Sequence, residues 1–153
     1  MESLIRNTVD ASLKEMGLRY KSNNKFFHVI IENDDAEFHF RIIGDEKKEL
    51  LVTIGYFPVK VSRSNLDRMY KFVNDRNYKT TVGAFLIDSD DGELIFRIAN
   101  NVDGGAINEQ IMRMCFLQVV NTLISSYDDI MEEMFGGPRM SFTFAGDEKP
   151  DEQ

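Results

Sequence analysis

The chain has 153 residues, 42% of them hydrophobic and 29% charged, with only three prolines. That is the make-up of one compact domain and excludes a disordered chain or a pair of very small ones. Its formal net charge of −8 argues against nucleic acid and anionic membrane as partners. Duplex carries about one negative charge per 1.7 Å, and binding it needs a basic patch that the scattered lysines and arginines do not make.

The opening "MESLIRNTVDASLKEMG" is periodic and charged and lacks the continuous apolar run of a signal peptide. The spacing of Ile5, Val9, Leu13 and Met16 predicts a helix from about Ser3 to Met16, with Gly17 as its left-handed cap. Three strands are expected next: "KFFHVIIE", "EFHFRII" after "NDDA", and "ELLVTIGY" after "GDEKK". Beyond Pro58 the apolar period changes from two to about 3.6. Ser62 or Ser64 caps a second helix that carries Leu66, Met69, Tyr70 and Val73 on one face.

A second hairpin follows, "TTVGAFLID" and "ELIFRIAN", joined by the acidic stretch "DSDDGE". After "NVDGG" a long helix begins near Ile107 and runs to "GGP". Drawn straight from 106 to 135 it would be ~45 Å long, against a diameter of about 40 Å for a domain of this length. It must break, with Ser125-Ser126 the expected place, or lean on another subunit. No segment approaches the ~20 apolar residues of a membrane span. The last seven residues hold four acids against one lysine, which suits a solvated end.

Candidate chemistries are few. In "DSDDGE", Asp88 and Asp90 could be the first and third ligands of a calcium loop, but Gly92 then falls at the fifth position and Ala99 at the twelfth. A helix–loop–helix site needs glycine at the sixth and glutamate at the twelfth, and the flanks here are strands. The stretch is read as a hairpin turn, since aspartate-glycine tolerates positive φ. Were Asn33-Asp34 a two-residue turn, His28 would oppose His39 with Glu37 on the same face, a donor set able to hold a metal ion. Cys115, the single cysteine, sits in an apolar stretch and reads as a buried free thiol in a reducing compartment. "DGG" at 103 to 105 precedes a helix and could offer backbone amides to an anion. No nucleophile elbow, phosphate loop or dinucleotide fingerprint is present in the sequence.

The strands are apolar on both sides. Leu50, Val52 and Ile54 oppose Leu51 and Thr53; Val82, Ala84 and Leu86 oppose Phe85 and Ile87; Leu94, Phe96 and Ile98 oppose Ile95 and Ala99. A sheet with one wet face alternates apolar with polar. Three helices cover one face and only part of the other, and the remaining patch is expected to meet a partner. The methionines of the last helix, Met112, Met114, Met131 and Met134, suit irregular contacts.

The stretch "VSRSNLDRMYKFVNDRNYKTTVGAFLIDSDDGELIFRIANNVDGG" resembles the central part of the YbjN-like family of small bacterial proteins. The shared features are a helix ending near an asparagine (Asn74 or Asn77), a strand of the form G-x-F/A-x-L-D, a "DG" turn and the aromatic-arginine pair Phe96-Arg97. The resemblance covers about residues 1 to 135. It implies an α+β fold similar to the chaperones of type III secretion, proteins that are usually dimers, bind extended client segments and catalyse nothing. The family is often labelled as sensory transduction regulators, and no catalytic residue carries over from it.

The expectation is therefore an α+β chain of order α-β-β-β-α-β-β-α, with a five-stranded antiparallel sheet in one domain at 1–135 and a flexible acidic tail at 136–153. Its function is that of a cytoplasmic, non-enzymatic protein-binding domain, chaperone-like or a regulatory adaptor, needing no cofactor. It acts as a homodimer on a protein client, with Phe26, Ile30, Leu51, Phe85 and Ile87 as the shared outer face. The alternative is a metal-binding sensor or enzyme using His28, His39 and Glu37.

Overall fold

The structure, a computed structural model, describes residues 4–102 and 107–136. Helix α1 (Leu4–Glu15) buries Ile5, Val9 and Leu13. It closes with Leu18 N–H donating to the Leu13 carbonyl at 3.2 Å, as the expected cap requires. Strands β1 (Tyr20–Ser22), β2 (Phe27–Glu32), β3 (Glu37–Asp45) and β4 (Leu50–Tyr56) follow. A short 3-10 turn at Arg63–Asn65 then leads into α2 (Leu66–Lys79). Neither Ser62 nor Ser64 caps that helix; their hydroxyls lie 3.2 Å from each other instead. Strands β5 (Ala84–Ile87) and β6 (Leu94–Asn101) precede α3 (Glu109–Ser125), α4 (Tyr127–Met131) and a π-helical turn at Glu132–Gly136.

The class is the expected α+β one, with six strands rather than five, ordered β1-β2-β3-β4-β6-β5, every neighbouring pair antiparallel. The added strand, β1, has three residues, too few for an alternating pattern to register. Tyr20 fastens it to α1 by donating its hydroxyl proton to the Asp10 carboxylate. The last helix breaks where its length demanded. Ser126, 3% exposed, separates α3 from α4, and its hydroxyl takes a 2.8 Å hydrogen bond from Arg76 of α2.

All the described helices lie on one side of the sheet. Phe38, Phe40, Ile42, Leu51, Leu94 and Phe96, each 0% exposed, point to that side. Phe40 meets Phe116 of α3 edge-on at 5.8 Å. Helix α1 sits close because β3 has glycine beneath it: a Cβ on Gly44 would lie 2.6 Å from Ile5 Cγ2. No helix of the described residues is long and apolar enough to cross a membrane. The tail expected at 136–153 lies, Gly136 apart, outside the described residues, and so do Asp103, Gly104 and Gly105.

The acidic stretch 88–93 is a hairpin turn. Asp88 accepts from the Asp90 amide at 2.8 Å and Asp91 from the Glu93 amide at 2.9 Å, so the carboxylates cap the turn's own backbone. The Glu93 amide, with Lys60 adding its charge, holds Asp91 below the usual carboxylate range. Gly92 has φ +81°, and a Cβ there would lie 2.0 Å from the Val61 carbonyl oxygen.

Candidate functional site

The other side of the sheet carries no helix among the described residues, and its register shows what it offers. Glu32 pairs with Glu37 across a loop of four residues, Asn33–Ala36, not two. Asn33 makes the difference: its side-chain oxygen accepts from the amides of Asp35 at 2.8 Å and Ala36 at 3.0 Å. His28 consequently opposes Arg41, and His39 opposes Ile30. A displacement of two positions keeps every side chain on its face, so the histidines remain diagonal neighbours.

They meet directly. His28 Nε2 and His39 Nδ1 are 2.8 Å apart, and His39 Nε2 lies 2.7 Å from Glu37 Oε2. The three groups form a hydrogen-bonded chain rather than a convergent donor set. Among the described residues no three His, Cys, Asp or Glu side chains are placed to hold a metal ion. Burial, then the charges of His39, Arg41 and Lys21, push His28 below its ordinary value. Beside the histidines a shallow cleft of about 340 Å³ is lined by Arg41, Tyr56, Pro58 and Glu93. The Arg41 guanidinium lies over the rings of Phe26 at 4.3 Å and Tyr56 at 5.4 Å. Burial raises the Tyr56 hydroxyl above its usual value, against the opposing pull of Arg41. Cys115 is half-buried on α3 against the core, with the sheet between it and both histidines.

Across this face the strands place their residues in transverse rows. One row runs Lys21, His28, Arg41, Ile54, Arg97, Ala84, a residue from each strand. The next runs Ile30, His39, Tyr56, Ile95, Leu86. On the other flank lie Ile43, Val52 and Ala99. The face is thus apolar over β4, β5 and β6 except at Arg97, and more polar over β2 and β3, a correction to the expectation of a slab apolar on both sides.

The five residues expected on one outer face are divided. Phe26, through its stacking on Arg41, and Ile30, opposite His39, lie on the uncovered side. Leu51, at 0%, and Phe85, at 2% exposed, are core residues beneath the helices, and Ile87 packs against that same core. Alternation identifies two sides of a strand, but when both are apolar it does not say which is covered. Arg41, Tyr56 and Arg97 were missed as site residues because only the register aligns them.

The free edge of β5 is closed by α2. Phe85 pairs with Phe96 in a position where both its main-chain groups face away from β6. There Asn77 serves both: its side-chain oxygen accepts from Phe85 N–H at 2.8 Å and its amide donates to the Phe85 carbonyl at 2.9 Å. One carboxamide thus does the work of a neighbouring strand and blunts the edge.

Among known proteins, the crystal structure of YbjN from E. coli is similar with a TM-score of 0.63 at 12% identity, covering 84% of this chain and 97% of that one. The structure of the HopA1-SchA chaperone-effector complex contains a chain similar at TM-score 0.58 and 8% identity, covering 82% and 94% respectively. A chain of the ExsC-ExsE complex gives 0.58 at 9% identity, covering 81% and 91%. At these identities the likeness is one of fold. No curated protein matches the chain. The family model of YbjN, described as "Putative bacterial sensory transduction regulator", matches residues 6–133, and this chain belongs to that family.

Proposed function

We propose that this protein is a non-catalytic protein-binding domain, chaperone-like or a regulatory adaptor, that receives a segment of a protein client on the uncovered face of its sheet. The observation that carries the reading is that face: Ile43, Val52, Ile54, Ile95 and Leu86 form adjoining apolar positions over four strands with no helix over them among the described residues. Apolar sheet surface left uncovered is a place for another chain. Two further facts support it. The chain belongs to the YbjN family, and two of its structural neighbours come from complexes, one named as chaperone with effector. Among the described residues the cleft beside the His28–His39–Glu37 chain is lined by Arg41, Tyr56, Phe57, Pro58 and Glu93, with no serine or cysteine.

We further propose that the domain works as a homodimer in the cytoplasm. Ile111 at 50%, Met114 at 61% and Leu117 at 42% exposure form an apolar stripe on α3 that a second copy would cover. The unbridged Cys115 fits a reducing compartment.

The test is affinity for unfolded protein segments, read by fluorescence anisotropy. Ile54→Ser with Val52→Ser is expected to weaken binding about tenfold, the worth of roughly 1.4 kcal/mol, with the circular dichroism spectrum unchanged. A folded protein that ignores every extended segment offered would overturn the reading.

A further inference from the structure

The transverse row is the least expected feature of the uncovered face. Acidic residues outnumber lysines and arginines 26 to 18 over the whole chain. Yet Lys21, His28, Arg41, Ile54, Arg97 and Ala84, which cross the centre of the face, include three permanent cations and no acid. Six of the other described cations are matched, among them Lys14 with Asp10, Lys71 with Asp75, Arg76 with Asp129 and Arg113 with Glu15. Among the described residues Lys21, Arg41 and Arg97 enter no such ion pair, and the rows on either flank are mainly apolar.

We infer that the client segment that settles on this face is acidic, carrying carboxylates among apolar side chains, with Arg41 and Arg97 as their receptors. The inference rests on the adaptor reading above and deepens it. An apolar segment laid over the flanking rows would take water from the two arginines. A charge stripped of water without a counter-charge is costly, and the loss is recovered only when a partner brings the opposite sign and hydrogen bonds. A wholly apolar client is therefore selected against and an acidic one selected for. Arg41 is prepared for this role. Its guanidinium lies over the Phe26 ring at 4.3 Å and 5.4 Å from the Tyr56 ring. An arginine stacked on an aromatic face turns its in-plane N–H donors outward, and those not engaged by the Tyr56 hydroxyl are left for a carboxylate. Arg97 stands two strands away, across Ile54, so the two receptors are set about 10 Å apart by the spacing of neighbouring strands. Ile54 between them offers the client's apolar side chain its seat.

The experiment uses the full chain and a labelled peptide of leucine, serine and aspartate, beside a counterpart with asparagine in place of every aspartate. The aspartate peptide is expected to bind at least about tenfold tighter at low salt and to lose that advantage as ionic strength rises. Arg41→Gln with Arg97→Gln is expected to remove the preference, weakening the aspartate peptide and, with no charge left to strip of water, tightening the asparagine peptide. Arg97→Gln alone, at an exposed position, halves the preference or more and guards against a fold defect in the double variant. Equal affinity for the two peptides overturns the inference and leaves the adaptor reading standing. Failure to bind either peptide removes both. Binding seen only when Asp147, Glu148, Asp151 and Glu152 are changed to their amides also overturns it, because the row would then be the seat of the chain's own acidic end.

Discussion

Asn77 gives both ends of its carboxamide to one residue, Phe85, and the consequences of changing it differ by substituent. Asn77→Ala leaves an N–H and a carbonyl at the sheet edge without their partner, and a cost of about 1–3 kcal/mol is expected in urea unfolding. Asn77→Asp keeps an acceptor for the amide but turns a carboxylate toward the Phe85 carbonyl oxygen. That variant is expected to be at least as unstable as the alanine at pH 7 and to recover part of the loss at low pH, where the acid can donate. A second expectation at this scale concerns pH. Lys21, His39 and Arg41 face His28, and with burial they lower its proton affinity in the folded state. Its unfolded value is near 6.5, so above that both states are neutral and nothing is lost. As pH falls through 6.5 the unfolded chain takes up the proton first, and stability declines. His28→Gln should flatten that decline in thermal unfolding between pH 7.5 and 5; an identical slope in both proteins would refute the assignment.

Among the elements, α3 shows how much a pattern can tell. Its place, its apolar face and its interruption at Ser126 were legible, because a straight rod was too long for the domain and two serines offered the break. Its start shifted slightly: Asn108 is the cap, accepting from Gln110 N–H at 2.7 Å and Ile111 N–H at 3.3 Å. Asn108→Ala should cost about 1 kcal/mol by calorimetry. The β2–β3 loop is the four-residue "NDDA" gap expected between the strands. Only the supposed two-residue turn at Asn33-Asp34, on which the direct His28–His39 opposition rested, failed, because the Asn33 side chain nucleates the longer loop. The histidines still met, since an even displacement preserves the face. Leu51 and Phe85 were placed on the wrong side for a different reason. The helices, not the strands, decide which apolar side is inside, and helix docking is a long-range fact. Asn77 was visible only as an asparagine near a helix end; its bond to a strand edge depends on tertiary geometry.

For the whole molecule, the α3 stripe supplies the test of assembly. Met114→Asp with Leu117→Asp should leave the fold intact, since both side chains are exposed, and convert a dimer to a monomer in sedimentation velocity. A wild-type chain that sediments as a monomer at high concentration would remove the homodimer. The contact between Ile5 and Gly44 reaches further than its one pair of atoms. With the Ile5 side chain packed that near to the strand, and side chains also close against Gly55 and Gly83, the covered side is a closed joint at these glycines, where an added methyl must displace its neighbour. Among the described residues the uncovered side has no such joint to protect. Under the adaptor proposal, a lineage of these proteins would change its client by exchanging residues on one surface, while the seam on the opposite surface tolerates little editing.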